Sequence, residues 1–396
     1  MDPEAFRNSL AGRLVHAPSG YWAFVPHALP PAIPWTPDLV AALSEADRAL
    51  GELAGLGGSL LNPHLLIRPF VCREAVLSSR IEGTQASLSD LYAYEAVPQP
   101  LFEPASDVRE VYNYVQALEY GLQRLQTLPL SLRLIREMHG LLMERVRGER
   151  QTPGEFRRTQ NWIGSPGYLL NEAPFVPPPV PEMNEALDAF EKFLHTPSLL
   201  PPLVRLGLTH YQFEAIHPFL DGNGRIGRLL ITLLLCAWDP LPGPLLYLSA
   251  YFEANRQAYY DLLLAVSQSG AWEAWLSFFL RGVALQARDA VTRARRIQDL
   301  REQYRGKFQT ARAAVRLLQV VDLLFAQPVL TIRQVQTALG VDFPAAQRYV
   351  HQLVEGGLLR EVTGRARNRV YRADEVLRAI EEPLSPSGNS RTNEAR

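Results

Sequence analysis

The chain has 396 residues, of which 47% are hydrophobic and 20% are charged. This apolar content excludes global disorder, and the length exceeds what one hydrophobic core usually serves, so about two or three domains are expected. With 40 basic and 41 acidic residues the formal net charge is -1, which excludes a global field that attracts nucleic acid or an anionic membrane. Any such binding must be local.

Three features favour a cytoplasmic protein without a membrane anchor. The first residues, Met-Asp-Pro-Glu-Ala-Phe-Arg, lack the basic and then apolar layout of a signal peptide. Cys72 and Cys236 lie far apart without a CxxC spacing, which suits a reducing compartment. The longest uncharged apolar run, residues 229–238, is about half of the roughly 20 residues that a membrane-spanning helix needs, so a core helix is expected there.

Residues 1–105 are expected to form an N-terminal helical region. Residues 1 to about 35 are rich in proline, which lacks an amide donor and disfavours regular structure, so we interpret them as a packed arm. From about Pro37 to Tyr94, apolar residues recur at helical spacing, for example at Ala46 and Leu50. A proline-bearing connection at residues 97–104 is expected to end the region.

Residues 106–285 are expected to form the central domain, which makes the fold class mostly α. Apolar residues recur at helical spacing from Val108 to Leu142 and again through residues 182–194 and 204–215. Between these stretches the periodicity breaks into two short extended pieces around a turn. We interpret this segment, from Thr159 to Val180, as a short β-hairpin-like flap.

The C-terminal third has a different organisation. Residues 286–311 are predicted to be a linker helix, and residues 312–382 show three short helices followed by short alternating segments, the pattern of a winged helix-turn-helix. Asp342 is expected to cap the last of these helices, which then runs from Phe343 to Glu355 with Pro344 in its first turn. Residues 383–396, rich in Ser, Pro, Asn and Arg, are expected to be a disordered tail.

The run His217-Pro-Phe-Leu-Asp-Gly-Asn-Gly-Arg-Ile-Gly-Arg228 concentrates chemically active side chains. Its glycines match the letters of the dinucleotide fingerprint, but that fingerprint needs a strand before it and an acidic residue about 20 positions later. Here a helix precedes and a buried helix follows. A helix that ends near His217 and another that starts near Ile226 instead leave free backbone amides facing one point, where an anion binds.

The polar side chains of this run predict a phosphoryl or nucleotidyl transfer site. Arg225 and Arg228 lie three positions apart, and arginine forks suit phosphate oxygens. His217 supplies a base that titrates near neutral pH. Asp221 supplies a hard oxygen ligand for Mg²⁺, which commonly binds one or two carboxylates together with substrate phosphates.

The same run resembles the signature of the Fic family of protein adenylyltransferases. Residues 77–85, Leu-Ser-Ser-Arg-Ile-Glu-Gly-Thr-Gln, resemble the N-terminal Fic region, and residues 247–252 with Tyr259 and Tyr260 resemble the nucleotide-pocket segment. The related Doc-type kinases lack the Gly-Asn-Gly-Arg loop. The resemblance therefore favours transfer of AMP from ATP to a Ser, Thr or Tyr hydroxyl of a target protein.

The resemblance also implies a role for each site residue. His217 would deprotonate the target hydroxyl, which attacks the α-phosphorus while pyrophosphate leaves, and Asp221 would hold Mg²⁺. The residues implied to bind ATP, through its phosphates or its adenine, are Gly222, Asn223, Gly224, Arg225, Ile226, Gly227, Arg228, Tyr259 and Tyr260. Ser78, Glu82 and Gly83 resemble the inhibitory motif of the family. Glu82 would pair with Arg228 and occupy it, although it could also be a solvated glutamate on a helix face.

Partners and rival functions are left open. An extended target segment could add a strand to the flap, where Trp162 and Phe175 could equally be packing residues. The outward side chains expected in the winged helix are Gln347, Arg348, His351, Arg360, Arg365, Arg367, Arg369 and Arg372. They make DNA contact one option, and protein binding or a homodimer another. The rival functions are a nucleotide-sensing transcriptional regulator and an enzyme that removes AMP, with Glu82 helping to activate water.

Overall fold

The computed structural model describes residues 1–59, 64–96, 106–146, 151–164, 167–238, 241, 243–309 and 314–382, and this part of the chain is mostly helical, as predicted. The chain divides into two compact units, and some residues within their ranges lie outside the described part of the chain. Unit 1 takes in Met1–Leu61, Glu74–Ser87 and Phe102–Ala287, and unit 2 takes in Asn62–Arg73, Leu88–Leu101 and Arg288–Arg396. The predicted connection at 97–104 and the predicted tail at 383–396 lie outside the described residues.

Unit 1 surrounds the run at residues 217–228. Its elements are β1 (Gly12–His16), β2 (Trp22–Pro26), α1 (Pro37–Ser59), the end of α2 (His64–Ile81), α4 (Ser106–Arg124), α5 (Leu132–Leu142), α6 (Val180–His195), α7 (Pro202–Ile216), α8 (Asn223–Ala237), α9 (Ser249–Ala254), α10 (Arg256–Ser269) and the start of α11 (Trp272–Phe308). Helix α8 packs against α4, α5 and α7 and is buried along almost its whole length. This is the core helix that the apolar run predicts.

The N-terminal arm contains a β-hairpin that the proline content did not predict. Strands β1 and β2 pair antiparallel, and Gly20 in the turn between them has a φ of 87°, which favours glycine. The ring of Phe24 packs against Phe6 and Phe175. Pro26 is the last residue of β2, and Pro30, Pro31 and Pro34 lie beyond it. These prolines therefore do not interrupt the pairing of β1 with β2.

The flap is less regular than a hairpin. A single antiparallel bridge joins Ile163 to Phe175, with the Ile163 N–H donating to the Phe175 carbonyl at 2.9 Å. The next carbonyl, of Val176, accepts from the Phe24 N–H at 2.9 Å. The segment at 175–176 is therefore bonded on two sides, and prolines at 174 and 177–179 limit further pairing because they lack N–H groups.

Unit 2 contains α3 (Leu88–Ala96) and a C-terminal group of short elements. They are α12 (Ala314–Ala326), β3 (Val329–Thr331), α13 (Ile332–Leu339), α14 (Phe343–Glu355), β4 (Arg360–Glu361), β5 (Val370–Arg372) and α15 (Asp374–Glu381). The strands form a sheet in the order β3-β5-β4. Asp342 caps α14 by accepting from the Ala345 N–H at 2.7 Å, as predicted. Among the helices of the described residues, none has the length and apolar composition that crossing a membrane requires.

Candidate active site

His217 lies at the end of α7, and its Nε2 has no hydrogen-bond partner among the residues that the structure describes. It adopts the left-handed conformation, with a φ of 49°, which is uncommon outside glycine and turns the chain sharply out of the helix. Its Nδ1 lies 3.2 Å from the carbonyl oxygen of Glu214. Because a carbonyl only accepts, Nδ1 carries the proton in this contact, and Nε2 keeps its lone pair.

The charge state of His217 follows from its surroundings. Burial, together with the cation of Arg157, lowers the pKa of the imidazole to about 4, although the bond to the Glu214 carbonyl and the carboxylate of Glu82 work in the opposite direction. The ring is therefore neutral near pH 7. A neutral imidazole with a free Nε2 is the form that a general base requires.

The turn after His217 is held by side chains that the sequence analysis missed. Arg157 is almost fully buried and donates to the carbonyls of His217 at 3.0 Å and Pro178 at 2.5 Å. Asn161 donates to the carbonyls of Phe219 at 2.8 Å and His217 at 3.2 Å. Arg157 and Asn161 belong to the segment Arg-Arg-Thr-Gln-Asn at residues 157–161, which overlaps the start of the flap and was given no role at the turn. Their bonds to His217 span 60 and 56 positions of the chain, so the sequence offered no signal for these contacts.

His139 supports the same turn from α5. Its Nδ1 accepts from the Gly154 N–H at 2.9 Å, so Nε2 carries the proton and donates to the Asp221 carbonyl at 3.0 Å. The ring stacks on Phe219 with centroids 3.7 Å apart. Burial lowers the pKa of His139 to about 4, which keeps the ring neutral and this tautomer in place.

Replacing His139 by Phe is expected to destabilise the fold. The variant keeps the stacking on Phe219 but leaves the Asp221 carbonyl and the Gly154 N–H without partners, at a cost of about 2 kcal/mol in the free energy of unfolding. Urea unfolding measures the difference. The matched control is His195→Phe, at an exposed residue of α6. Equal unfolding midpoints for both variants would contradict the support assigned to His139.

The start of α8 has the free backbone amides that can bind an anion. Gly222 is its N-cap in the left-handed region, with a φ of 78°, and the first helical bond at this end runs from the Ile226 N–H to the Gly222 carbonyl at 3.0 Å. As in any helix, the amides of the first turn have no acceptor within the helix. Asn223 donates to and accepts from the backbone of Phe219, so both of its polar atoms shape the loop in this structure.

Asp221 and Arg225 flank this helix end in different ways. The Asp221 side chain is 44% exposed, and its Oδ1 accepts from the Gly222 N–H at 2.6 Å. Arg225 is buried and forms an ion pair with Glu110 of α4 at 3.3 Å. A second, longer ion pair joins it to Asp221 at 3.8 Å. Ile226, next to it, is completely buried. Of these three residues, Asp221 is the one that presents a polar side chain to solvent.

Arg228 is engaged by the end of α2. Its Nε donates to the Ser78 hydroxyl at 2.8 Å, and one Nη donates to Glu82 Oε1 at 2.6 Å and to the Ser78 carbonyl at 3.1 Å. Burial opposes the charge on Glu82, but Arg228 outweighs it and lowers the pKa of the carboxyl. Gly83, just past the helix, has a φ of 98° and lets the chain turn away. Gly224 leaves room for the pair, since a Cβ there would lie 2.5 Å from Glu82 Oε1.

Two further buried carboxyls lie near Arg228, and the sequence analysis missed both. Glu74 accepts from the Ser249 hydroxyl and, at 3.2 Å, from Tyr114; burial raises its pKa to about 7. The available signal was its position four residues before Ser78 and eight before Glu82, which places all three on one helix face. Burial also raises the pKa of Glu214 to about 7, against the opposing charge of Arg228. The Glu214 carboxyl lies over Gly227, where a Cβ would collide with it.

The two predicted adenine-binding tyrosines differ in exposure. Tyr259 is 1% exposed, and its hydroxyl is hydrogen-bonded to His210 Nε2 at 2.8 Å. Tyr260 is 38% exposed, with its ring beside that of Tyr259. In this structure only Tyr260 of the pair offers a ring to a ligand.

Comparisons with known proteins agree with this geometry. Residues 40–123 match the model of the Fic/DOC family N-terminal region, and residues 129–235 match that of the Fic/DOC family. The chain is 33% identical over 154 residues to a protein named "Protein adenylyltransferase Fic" from Drosophila grimshawi and 34% identical over 129 residues to one of the same name from Drosophila yakuba. These matches cover 38% and 32% of this chain but only 30% and 24% of the relatives.

Solved structures show the fold. A Fic family protein from Desulfovibrio desulfuricans superposes with a TM-score of 0.57 at 24% identity, over 87% of this chain and 98% of that one. A Fic domain containing signaling protein from Bacteroides thetaiotaomicron gives a TM-score of 0.50 at 20% identity, over 64% and 95% of the two chains. Residues 40–123 and 129–235 are thus similar to the two Fic/DOC family regions, and the solved structures share their fold.

Proposed function

We propose that this protein transfers AMP from ATP to a Ser, Thr or Tyr hydroxyl of a target protein and that Glu82 restrains the reaction. The observation that carries the proposal is His217, whose neutral ring keeps Nε2 free six residues before the start of α8 and within the field of Glu82, the partner of Arg228. The relatives named protein adenylyltransferase support the same reaction. The cysteines Cys72 and Cys236 are not in a disulfide bond, which suits the cytoplasm as its location.

The reaction balances with the groups at this site. The target hydroxyl loses its proton to His217 Nε2, its oxygen forms a bond to the α-phosphorus, and the bond from that phosphorus to the β-phosphate breaks. Pyrophosphate leaves. The amides of the first turn of α8 and the guanidinium of Arg228 stabilise phosphate charge. Tyr260 offers the exposed ring for adenine.

Asp221 fits the bound Mg²⁺ that this chemistry uses. One of its oxygens is held by the Gly222 N–H and the side chain is partly exposed, which suits a metal ligand that shares the ion with phosphates. Within the described residues no cluster of three His, Cys, Asp or Glu side chains forms a dedicated metal site. The ion would therefore come with ATP and neutralise phosphate charge.

The flap is the proposed docking site for the target. The segment at 175–176 is already bonded on two sides, so the edge beside Trp162 is the one that we propose for strand addition. Trp162, Tyr168 and Leu169 are exposed there, whereas Phe175 is buried as a packing residue. Main-chain pairing would set the register, and these apolar side chains would add contact area.

The proposal is tested by incubating the purified Glu82→Gly variant with cell lysate and ATP labelled at the α or at the γ phosphate. Label from the α position, and not from the γ position, is expected on protein. Transfer from the γ position would identify a kinase, and no transfer in either case would refute the proposal.

Two further experiments test the alternatives. Incubating AMP-modified protein with the wild-type chain tests whether the enzyme removes AMP, and light scattering, compared with the chain mass of 44.4 kDa, tests whether it forms a homodimer.

Replacing Asp221 by Asn is expected to shift the Mg²⁺ dependence of AMP transfer to higher concentration. A neutral amide is a poorer ligand for a hard dication, and even residues that only support a metal ligand change affinity by roughly 10–100-fold. Asn keeps an oxygen for the Gly222 N–H, so the loop should persist. The matched control is Asp188→Asn on the exposed side of α6. An unchanged Mg²⁺ titration would assign the metal to another ligand.

A further inference from the structure

We infer that the face of unit 2 formed by α13, α14 and the β4–β5 turn (residues 362–369) binds duplex DNA. From Ile332 to Arg372 the chain has seven arginines and three carboxylates, although its net charge as a whole is -1. The excess of cations is therefore local. Phosphate is the group that arginine clusters bind best, and phosphate contacts dominate the affinity of proteins for DNA.

Two of the three carboxylates between Ile332 and Arg372 make structural bonds, and the third, Glu355, is exposed at the end of α14. Asp342 caps α14, and Glu361 accepts from the backbone of the β4–β5 turn at 2.8 and 3.0 Å. Asp374 pairs with Arg360 at 2.9 Å and with Arg372 at 2.5 Å, so two of the arginines counted from the sequence are neutralised. The exposed arginines of the turn are Arg365, Arg367 and Arg369.

Arginine side chains lie on both sides of α14. A concavity of about 480 Å³ between α14 and the turn is lined by His351, Arg365, Arg369 and Tyr371, together with Glu361, whose carboxylate is bonded to the backbone of the turn. Tyr371 is 2% exposed, and its hydroxyl has no hydrogen-bond partner among the described residues. On the other side, Arg333 of α13 lines a second concavity with Phe343. Each concavity therefore offers donors to a phosphate group.

These positions match the two edges of a groove. The major groove of DNA is about 12 Å wide and admits one α-helix, while the helix before it crosses the backbone. With α14 in the groove, Arg333 would reach one phosphate strand and the β4–β5 turn the other. The exposed Arg348 and Gln352 of α14 would face base edges. Large apolar side chains are sparse on this surface: among the described residues of unit 2, those exposed are Val315, Phe343 and Val362.

The test is fluorescence anisotropy of the full chain with a labelled duplex of mixed sequence at about 50 to 200 mM salt, a range over which affinity from phosphate contacts falls steeply. We expect micromolar binding and a log–log salt slope of about -3 to -4, as for roughly four phosphate contacts. The triple change Arg365→Gln, Arg367→Gln and Arg369→Gln should weaken binding about tenfold or more and reduce the slope by about 2 to 3.

The control replaces three exposed arginines of unit 1 by Gln, at Arg7, Arg133 and Arg158, whose side chains are 72%, 72% and 83% exposed. It should bind as the wild type does, and circular dichroism checks that both triple variants fold. Any of three results would overturn the inference: no binding by the wild type at the lowest salt, equal losses in the two triple variants, or tighter binding of an RNA hairpin than of the duplex. The test does not depend on AMP transfer.

Discussion

The His217→Ala variant is expected to lose AMP transfer by about 10²–10⁴-fold while it keeps its affinity for ATP. Loss of a general base typically has a cost of this size, and the imidazole would face the incoming hydroxyl more than the phosphates. The comparison is made in the Glu82→Gly background, with transferred label as the rate and nucleotide titration as the affinity.

The pH profile separates a base from a structural histidine. Because burial and Arg157 lower the pKa of His217 to about 4, the ring stays neutral as the pH falls from 8 to 6. The rate should therefore show no loss from His217 protonation in this range and should begin to fall only near pH 5. Near-normal transfer by His217→Ala would contradict this assignment, as would a steep drop between pH 7 and 6 that persists in Glu74→Gln and Glu214→Gln, since burial raises the pKa of both carboxyls to about 7.

The sequence predicted the catalytic turn because its residues are adjacent in the chain. The end of α7, the start of α8 and the pair of Glu82 with Arg228 all follow from local spacing or from the resemblance of one short motif. The helical class of the fold follows from apolar periodicity in the same way. Features that depend on residues close together in the chain could therefore be predicted from the sequence.

The supports of the turn were not accessible because their partners lie far away in sequence. Arg157 is 60 positions from His217, and His139 is 82 positions from Asp221. His139 also stands within the apolar stripe of α5, where a polar residue signals a buried hydrogen bond but not its partner. The difference in exposure between Tyr259 and Tyr260 was not predictable either, since periodicity cannot tell which of two adjacent aromatic rings faces the core.

Replacing Glu82 by Gly is expected to raise the rate of AMP transfer about tenfold or more. Arg228 can pair with Glu82 or with a phosphate of ATP, and a charge-assisted hydrogen bond contributes roughly 1.5–3 kcal/mol to whichever state forms it. Ser78 would continue to orient the guanidinium through its hydroxyl and carbonyl. Because Glu82 follows the last residue of α2, glycine there costs little helix stability.

The measurement is the initial rate of label transfer across a range of ATP concentrations, with Glu185→Gly on the exposed side of α6 as the control for loss of a glutamate. Glu82→Gln should give an intermediate rate, because the amide keeps an acceptor for Arg228 but not the charge. Arg228→Ala should be slow with or without Glu82, since the arginine serves the nucleotide as well as the restraint. If Glu82→Gly and wild type transfer AMP at equal rates, then the 2.6 Å contact is structural and does not restrain the site.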